Sequence, residues 1–411
     1  MTNLTWTNWA GTERCRPESI VKAVSVDHVQ EVVADATRRG VCVRPVGSGH
    51  SFAPLVPTDG IVLDISALSG VQSVDVGAAR ARVAAGTRIA DLGEPLWDAG
   101  LTLRNQGAID AQTIAGAIST STHGSGLRLQ AMSAGVIGAD VVTASGDLIR
   151  IGADDPRLPA LRASMGTLGV IVSLDLQLER TFKLKETLAF WPFDEVIERW
   201  DEMNRTHRHF SFVRGRMYDM SAVLPPIPDD MKAPTLVRMY DTVDVDAEDD
   251  ATPAARVNRP YRIYPDTYSG AWEEIEPNVP YATSMDTILE CLDILEHYPN
   301  EYPLEARTVA GDDTWLSPMY GRDSVAIDVC RALGKDNTPF FRAIDEVVGR
   351  YGGRPHWGKQ PYLHDVEAYR AMYPRWDDFV ELRRQLDPTG TFLNAQLRTV
   401  FEEERSLVSG G

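Results

Sequence analysis

Apolar and polar positions divide the chain into regions of different texture. Over residues 27–39, Val29, Val32, Val33 and Ala36 recur at helical spacing; this predicts a helix capped by Asp27 and stopped at Gly40. Residues 42–46, 61–65 and 80–84 read as short strands. Residues 89–99 predict an amphipathic helix ending at Gly100, weakened in its middle by Pro95. A hairpin is expected over 139–151, turning at Ala144-Ser145-Gly146-Asp147, followed by a short helix over 158–163 and a strand over 169–176. Helices and strands mix up to about residue 180 without a regular βαβ repeat, so an α+β unit is expected rather than a doubly wound parallel sheet. From about 181 aromatics become frequent: Phe190, Trp191, Phe193, Trp200, Phe210 and Phe212. A proline-rich stretch, Pro225-Pro226-Ile227-Pro228, and an acidic stretch over 244–250, read as a solvated loop, come next. Residues 283–296 predict a helix. There is no internal repeat.

Length and charge narrow the classes. At 411 residues, two or three units of roughly 100–200 residues are expected. A net charge of -18 disfavours nucleic acid and anionic membrane surfaces as partners. No apolar run approaches the ~20 residues a bilayer requires, so no membrane insertion is expected. The N-terminus from Met1 to Trp6 has neither the basic nor the apolar part of a signal peptide. Four scattered cysteines with no CxxC pair read as reduced thiols in a cytoplasmic protein.

Candidate chemistry concentrates in three glycine-rich segments at strand ends: residues 44–51 around Gly47-Ser48-Gly49-His50-Ser51, residues 112–126, and residues 163–169. Small residues let consecutive backbone amides approach phosphate oxygens. A Rossmann fingerprint is absent, since no third glycine follows Gly47 and Gly49 at the required spacing. A P-loop lysine and a G-x-S-x-G elbow are absent too. Among eight histidines only His207 and His209 are closely spaced, two apart on an expected strand, and they read as structural; no metal is expected.

With the first two glycine segments about sixty residues apart, the chain resembles FAD-linked oxidoreductases of the vanillyl-alcohol-oxidase type. Further motifs resemble the aldonolactone oxidases, with the alditol oxidases as cousins. These are Leu304-Glu305-Ala306-Arg307, Asp313-Thr314-Trp315-Leu316-Ser317-Pro318, Tyr320-Gly321-Arg322-Asp323, Gly353-Arg354-Pro355-His356-Trp357-Gly358-Lys359 and Leu386-Asp387-Pro388-Thr389-Gly390-Thr391-Phe392-Leu393-Asn394. The likeness covers residues 5–180 and 300–400 and is weak between 185 and 300. It implies an α+β, two-domain flavoprotein. Its FAD-binding domain would span 1–180, its cap 181–355, and 356–411 would return to the FAD domain.

The resemblance also implies site residues. FAD would be held by Arg44, Val46, Gly47, Ser48, Gly49, Ser51, Gly107, Ala108, Thr113, Gly116, Ser119, Thr120, Thr122, His123, Gly124, Gly169, Val170, Ile171 and Lys359, with His50 bonded to its 8α-methyl. His123 is given no role beyond the cofactor loop, and no cysteine lies near the second segment to make another link. Glu305, Arg307 and Lys359 would be catalytic. Substrate would meet Ala108, Glu305, Arg307, Asp328, Cys330 and His356. Glu305 and Arg307, two apart, share a side if their stretch is a strand. Lys359 would stabilise a developing alkoxide. Beside another cation its pKa would fall, and it could act as base. Gly107 stands where residue size gates oxygen, and glycine resembles the oxidases. Ala108, Asp328 and Cys330 replace a serine, a histidine and a threonine of alditol oxidases, which favours a lactone or another modified sugar. The implied reaction passes hydride from an alcohol carbon of a sugar lactone or polyol to flavin N5, and O2 then returns the flavin to its oxidised form with release of hydrogen peroxide. The rivals are a dehydrogenase passing electrons to a dye, quinone or cytochrome, and a flavin-binding protein without activity. The presence of Glu305, Arg307 and Lys359 together argues against the last.

Overall fold

A computed structural model describes residues 4–215, 224, 225, 227, 230, 231, 234–265, 272–298, 302–360 and 366–402. Met1 to Asn3, and Pro226 and Pro228 of the proline-rich stretch, lie outside the described residues.

The first helix is Val26–Arg39. Its cap is Ser25, whose hydroxyl accepts from the His28 amide, and not Asp27, which stands inside the first turn where its charge still suits the helix dipole. Gly40 ends the helix at φ 67°. The expected helix over 89–99 is a 3-10 turn, Ile89–Leu92, followed by Gly93–Asp98. Pro95 falls in the first turn of the second piece, where its missing N–H costs nothing. Ser19–Lys22, Ile61–Asp64 and Val43–Val46 form a three-stranded parallel sheet. A five-stranded antiparallel sheet runs Leu148–Ile151, Val136–Val142, Val170–Gln177, Arg80–Ala84, Val71–Asp75. The expected hairpin is its first pair, with Gly146 at φ 86° in the turn.

One hydrophobic core joins these sheets to the C-terminal residues. Trp357, Tyr369, Tyr373, Trp376 and Phe401 stack within it, Trp376 on Phe401 at 5.1 Å. The fully buried Asp387 fixes the turn that returns the chain: its carboxylate accepts from the Thr391 and Phe392 amides, each at 2.8 Å. Thr391 then accepts from the Val43 amide at 2.8 Å.

A second core lies under an eight-stranded sheet of antiparallel pairs. Four neighbouring strands of it, His209–Arg214, Leu304–Val309, Ser324–Ala332 and the edge strand Trp272–Ile275, carry the site. Side chains alternate strictly. Phe210, Phe212, Leu304, Ala306, Val325, Ile327, Val329 and Ile275 pack with helices Phe193–Thr206, Ser284–His297 and Thr338–Arg350. The opposite parity carries Ser211, Glu305, Arg307, Asp328, Cys330, Trp272 and Glu274 on the other face. Among the described residues no helix is long and apolar enough to cross a membrane, and the four cysteines are free thiols.

Asp387→Ala would leave two buried amides without an acceptor, at about 1–3 kcal/mol each. Urea unfolding should show a loss of about 2–6 kcal/mol on the same basis; an unchanged midpoint would show that the turn does not depend on Asp387.

Candidate active site

A cleft of about 850 Å³, counted with its solvent-open part, runs between the glycine-rich segments. Arg44, Val46, Gly47, Ser48, Gly49, His50, Ser51, Thr113, Gly116, Ser119, Thr120, Gly169 and Ile171 line it. Among the described residues, none of the five backbone amides from Gly47 to Ser51 donates a hydrogen bond within the protein. Consecutive free amides on a concave wall form a nest for anionic oxygens. Gln112 also lines the cleft, and its side-chain oxygen has no partner. These residues fit a bound dinucleotide pyrophosphate. Gly47 has no room for a side chain, since a Cβ there would lie 1.9 Å from the Thr113 hydroxyl. Arg44 plays a different part from the one expected of it. It is buried and donates to three backbone carbonyls, of Leu55, Phe392 and Met165, which ties two glycine-rich loops to the C-terminal turn. Val170 is buried in its strand, and Gly107, Ala108, Thr122, His123, Gly124 and Lys359 stand outside this wall.

Beside the cleft lies a cluster of ionisable groups centred on Glu276. Glu276 Oε1 is bonded to Arg307 and lies 3.4 Å from His123 Nε2; Oε2 lies 3.6 Å from Lys359 Nζ. Lys359 is bonded to Glu274, whose other oxygen accepts from Trp272 Nε1 at 2.9 Å. Arg307 also reaches Asp328 at 3.3 Å, and the Cys330 thiol donates to Asp328 at 3.6 Å. Glu305 lies opposite Asp328 in the sheet and 3.6 Å from Arg238. The cluster meets the cleft at Phe52, whose amide donates to Gly358 at 2.8 Å and whose ring lies 5.6 Å from Lys359 Nζ. The other motif residues are scaffold: Arg354 donates to carbonyls of Met372, Pro318 and Tyr320, and Trp357 to Leu316.

Burial and neighbours set the charges. Burial alone would raise the Glu276 carboxyl, but the cations beside it, Arg307 foremost and then Lys359, hold it well below the usual carboxylate range. Burial would lower Lys359, but Glu274, Glu276 and Asp328 outweigh it and push the ammonium up. Lys359 is therefore a fixed cation; the expectation that it could lose its proton fails because carboxylates surround it. Asp328 moves the other way, raised by burial and then by Glu274 and Glu276. Burial keeps His123 neutral and lowers His356 to about 3. His123 Nδ1 donates to the Gly124 carbonyl at 2.9 Å, so its unprotonated Nε2 faces Glu276. His356 Nδ1 accepts from the Gly358 amide at 3.0 Å, which leaves the hydrogen on Nε2.

Of the residues expected from sequence, Arg307, Asp328, Cys330, His356 and Lys359 come together here, with Glu305 on the adjoining sheet face. His123, expected only in the cofactor loop, reaches the centre of the cluster. Glu274 and Glu276 were missed, although parity marked them: Trp272, Glu274 and Glu276 alternate with Glu273 and Ile275. His209 is buried and held by Ser125 and Tyr264, and His207 pairs with Asp241; neither approaches this site's contacts. His123, Glu276 and His356 place potential metal ligands within 4.8 Å of one another, a grouping that spacing along the chain did not reveal. The Nε2 hydrogen of His356 and the cations on Glu276 oppose a metal there.

Two family models match: an FAD binding domain over residues 17–152 and D-arabinono-1,4-lactone oxidase over residues 233–400. The L-gulono-1,4-lactone dehydrogenase of Mycobacterium tuberculosis is 32% identical, over 96% of this chain and 99% of that one. The alditol oxidase of a Streptomyces species is 30% identical, over 96% and 99%. The fold matches crystalline cholesterol oxidase of Brevibacterium sterolicum with a TM-score of 0.81, at 14% identity, over 97% of this chain and 96% of that one. The chain belongs to the FAD-linked oxidoreductases of the vanillyl-alcohol-oxidase type, among the aldonolactone and alditol oxidases. Within this family it is an FAD-dependent oxidoreductase with the two-domain fold. Its Gly107 faces protein: a Cβ there would lie 3.1 Å from Thr122 Cγ2 and 3.2 Å from the His123 carbonyl. A larger residue would therefore press on the segment that carries His123. Ala108 sits in the bend beside it, half-buried.

The depressed Glu276 pKa has a defined sign. Glu276 stays ionised as pH falls through the ordinary glutamate range, near pH 4.3; the stability it contributes is full above that range, declines below it as the unfolded chain takes up a proton, and is gone once pH passes the folded pKa. Glu276 itself should contribute no acid limb to the rate of cofactor reduction in that range. Arg307→Ala removes the largest charge holding Glu276 down while burial remains, so its limb should rise above that range. Stopped-flow rates against pH, with urea unfolding at each pH, test this; identical limbs in both proteins would remove Glu276 as the titrating group.

Proposed function

We propose that this protein oxidises an alcohol carbon of a sugar lactone or polyol, with FAD bound covalently through His50 and O2 as electron acceptor. The observation that carries the proposal is the Glu276 cluster: two cations, Arg307 and Lys359, fixed by buried carboxylates at the edge of the nucleotide cleft. Bound FAD, which Gly47 to Ser51, Thr113 and Gly116 would hold in the cleft, would supply the hydride acceptor and the onward route for electrons.

The protein's own residues do the rest. Lys359, permanently charged, steadies the alkoxide that develops as hydride leaves. Glu274 Oε1, already bonded to Lys359, takes the hydroxyl proton. Arg307, held by Glu276 and Asp328, binds a carbonyl or hydroxyl oxygen of the substrate. Glu305 and Asp328, opposite each other in the sheet, offer carboxyl oxygens to the remaining hydroxyls. Asp328 and Cys330 in place of a histidine and a threonine favour a lactone or other modified sugar over a simple polyol. Gly107 supports O2 as acceptor.

Anaerobic mixing with aldonolactones and alditols should bleach the flavin spectrum; persistent yellow across both groups would remove both substrate classes. Lys359→Met should lower the reduction rate about 100–1,000-fold at unchanged FAD content, and an undiminished rate would dismiss its role. Under air, peroxide should equal product. Dye reduction without peroxide would favour the dehydrogenase reading, to which the Mycobacterium relative's name points.

A further inference from the structure

His50 presents its imidazole at the cleft wall, yet its own hydrogen bonds do not orient it. Among the described residues neither ring nitrogen has a hydrogen-bond partner. The ring instead lies against Trp9, with centroids 5.2 Å apart and planes 24° from parallel. Trp9 is tied to the same loop twice: its backbone amide donates to Gly49 and its indole Nε1 to the His50 carbonyl, both at 3.1 Å. Asn8, next to it, donates to the Ser51 carbonyl at 3.0 Å. Trp9 is braced from behind, edge-on against Trp272 at 4.9 Å and Phe52 at 5.7 Å. Trp272 bonds Glu274, and Glu274 bonds Lys359. One run of contacts thus joins the loop histidine to the lysine of the reaction site.

We propose that Trp9 is the positioning residue for flavin attachment: its indole face sets the plane of the His50 imidazole so that a ring nitrogen meets the 8α-carbon of FAD. The inference rests on the reading of His50 as the covalent link. In that step a C–N bond forms between His50 and the 8α-carbon. One hydrogen is lost from the methyl carbon and one from the imidazole, leaving as two protons and two electrons. The electrons pass to O2, the acceptor proposed above, giving hydrogen peroxide. A stacked indole restrains rotation about the His50 side chain without occupying either nitrogen, so one nitrogen stays open to bond. Burial, and then the Lys359 charge, lower the His50 pKa and favour the neutral, nucleophilic ring. The attachment geometry is thereby set by a segment far from the glycine loop in sequence, which alignment of the loop alone does not reveal.

Wild type, Trp9→Phe, Trp9→Leu and His50→Ala are prepared free of flavin from riboflavin-starved cells and mixed with FAD under air. Uptake is followed by visible absorbance, and attachment by the yellow retained in an acid-precipitated pellet over time. Wild type should retain its flavin and His50→Ala should not. Trp9→Leu should take up FAD to a similar level but attach it about 10–100-fold more slowly, the scale expected for a misplaced reacting group. Trp9→Phe, which keeps a stacking face and loses the indole N–H, should stay within about threefold of wild type, since the face and not the N–H is the device. Equal attachment rates in wild type and Trp9→Leu would overturn the inference. So would loss of FAD uptake in both Trp9 variants, which would make Trp9 part of the cradle's structure. Release of all flavin from wild type would overturn the covalent reading of His50 itself, and is distinguishable because it does not depend on Trp9.

Discussion

A carboxylate buried away from water must be paired, and Glu276 is the carboxylate on which this site is built. Leaving one partner of such a group unmatched costs about 3–5 kcal/mol. Glu276 is therefore matched on two sides, by Arg307 and Lys359. Each partner comes from a different stretch of chain: a cap strand and the C-terminal motif. Satisfying one charge brings both halves of the protein together, and fixes two cations where a reacting hydroxyl would develop negative charge.

The two cores make this possible by different means. The cap sheet, apolar on its helix side, carries alternate residues to the face that holds Glu305, Arg307, Asp328 and Glu274. The other core supplies a wall of free amides and the short segment that ends in Lys359. At the site the two halves meet through Phe52 against Gly358 and Lys359, with Trp9 and Trp272 linking that contact to His50. Lys359 illustrates the general consequence. Its charge is a property of neighbours contributed by the cap, since the motif around it carries no carboxylate.

Much of this was legible in the chain. The glycine-rich segments announced a nucleotide wall, and the two-residue spacing of Glu305 and Arg307 placed them on one face of a strand. What stayed hidden depends on contacts between distant residues. Glu274 and Glu276 lie on and just after a four-residue strand in the least familiar region, where two glutamates look like solvated charge until the sheet covers them. Arg44 was expected among the residues that hold FAD, but its side chain donates to carbonyls contributed by residues up to 348 positions away. His123 was expected only in the cofactor loop, but its direction is set by the Gly124 carbonyl, which sequence does not show. Ser25 displaced Asp27 as helix cap because two candidate oxygens stood two residues apart, and only backbone geometry distinguishes them.

The most direct test of the central role of Glu276 is Glu276→Gln, which keeps the shape and removes the charge. The rate of anaerobic flavin reduction by whichever lactone or polyol bleaches wild type is the measurement, with FAD content recorded alongside. A fall of about 100–1,000-fold at unchanged FAD content is the predicted result, because Arg307 and Lys359 lose the anion that holds them in place. A rate equal to that of wild type, with the protein folded and FAD bound, would contradict a site organised around that carboxylate.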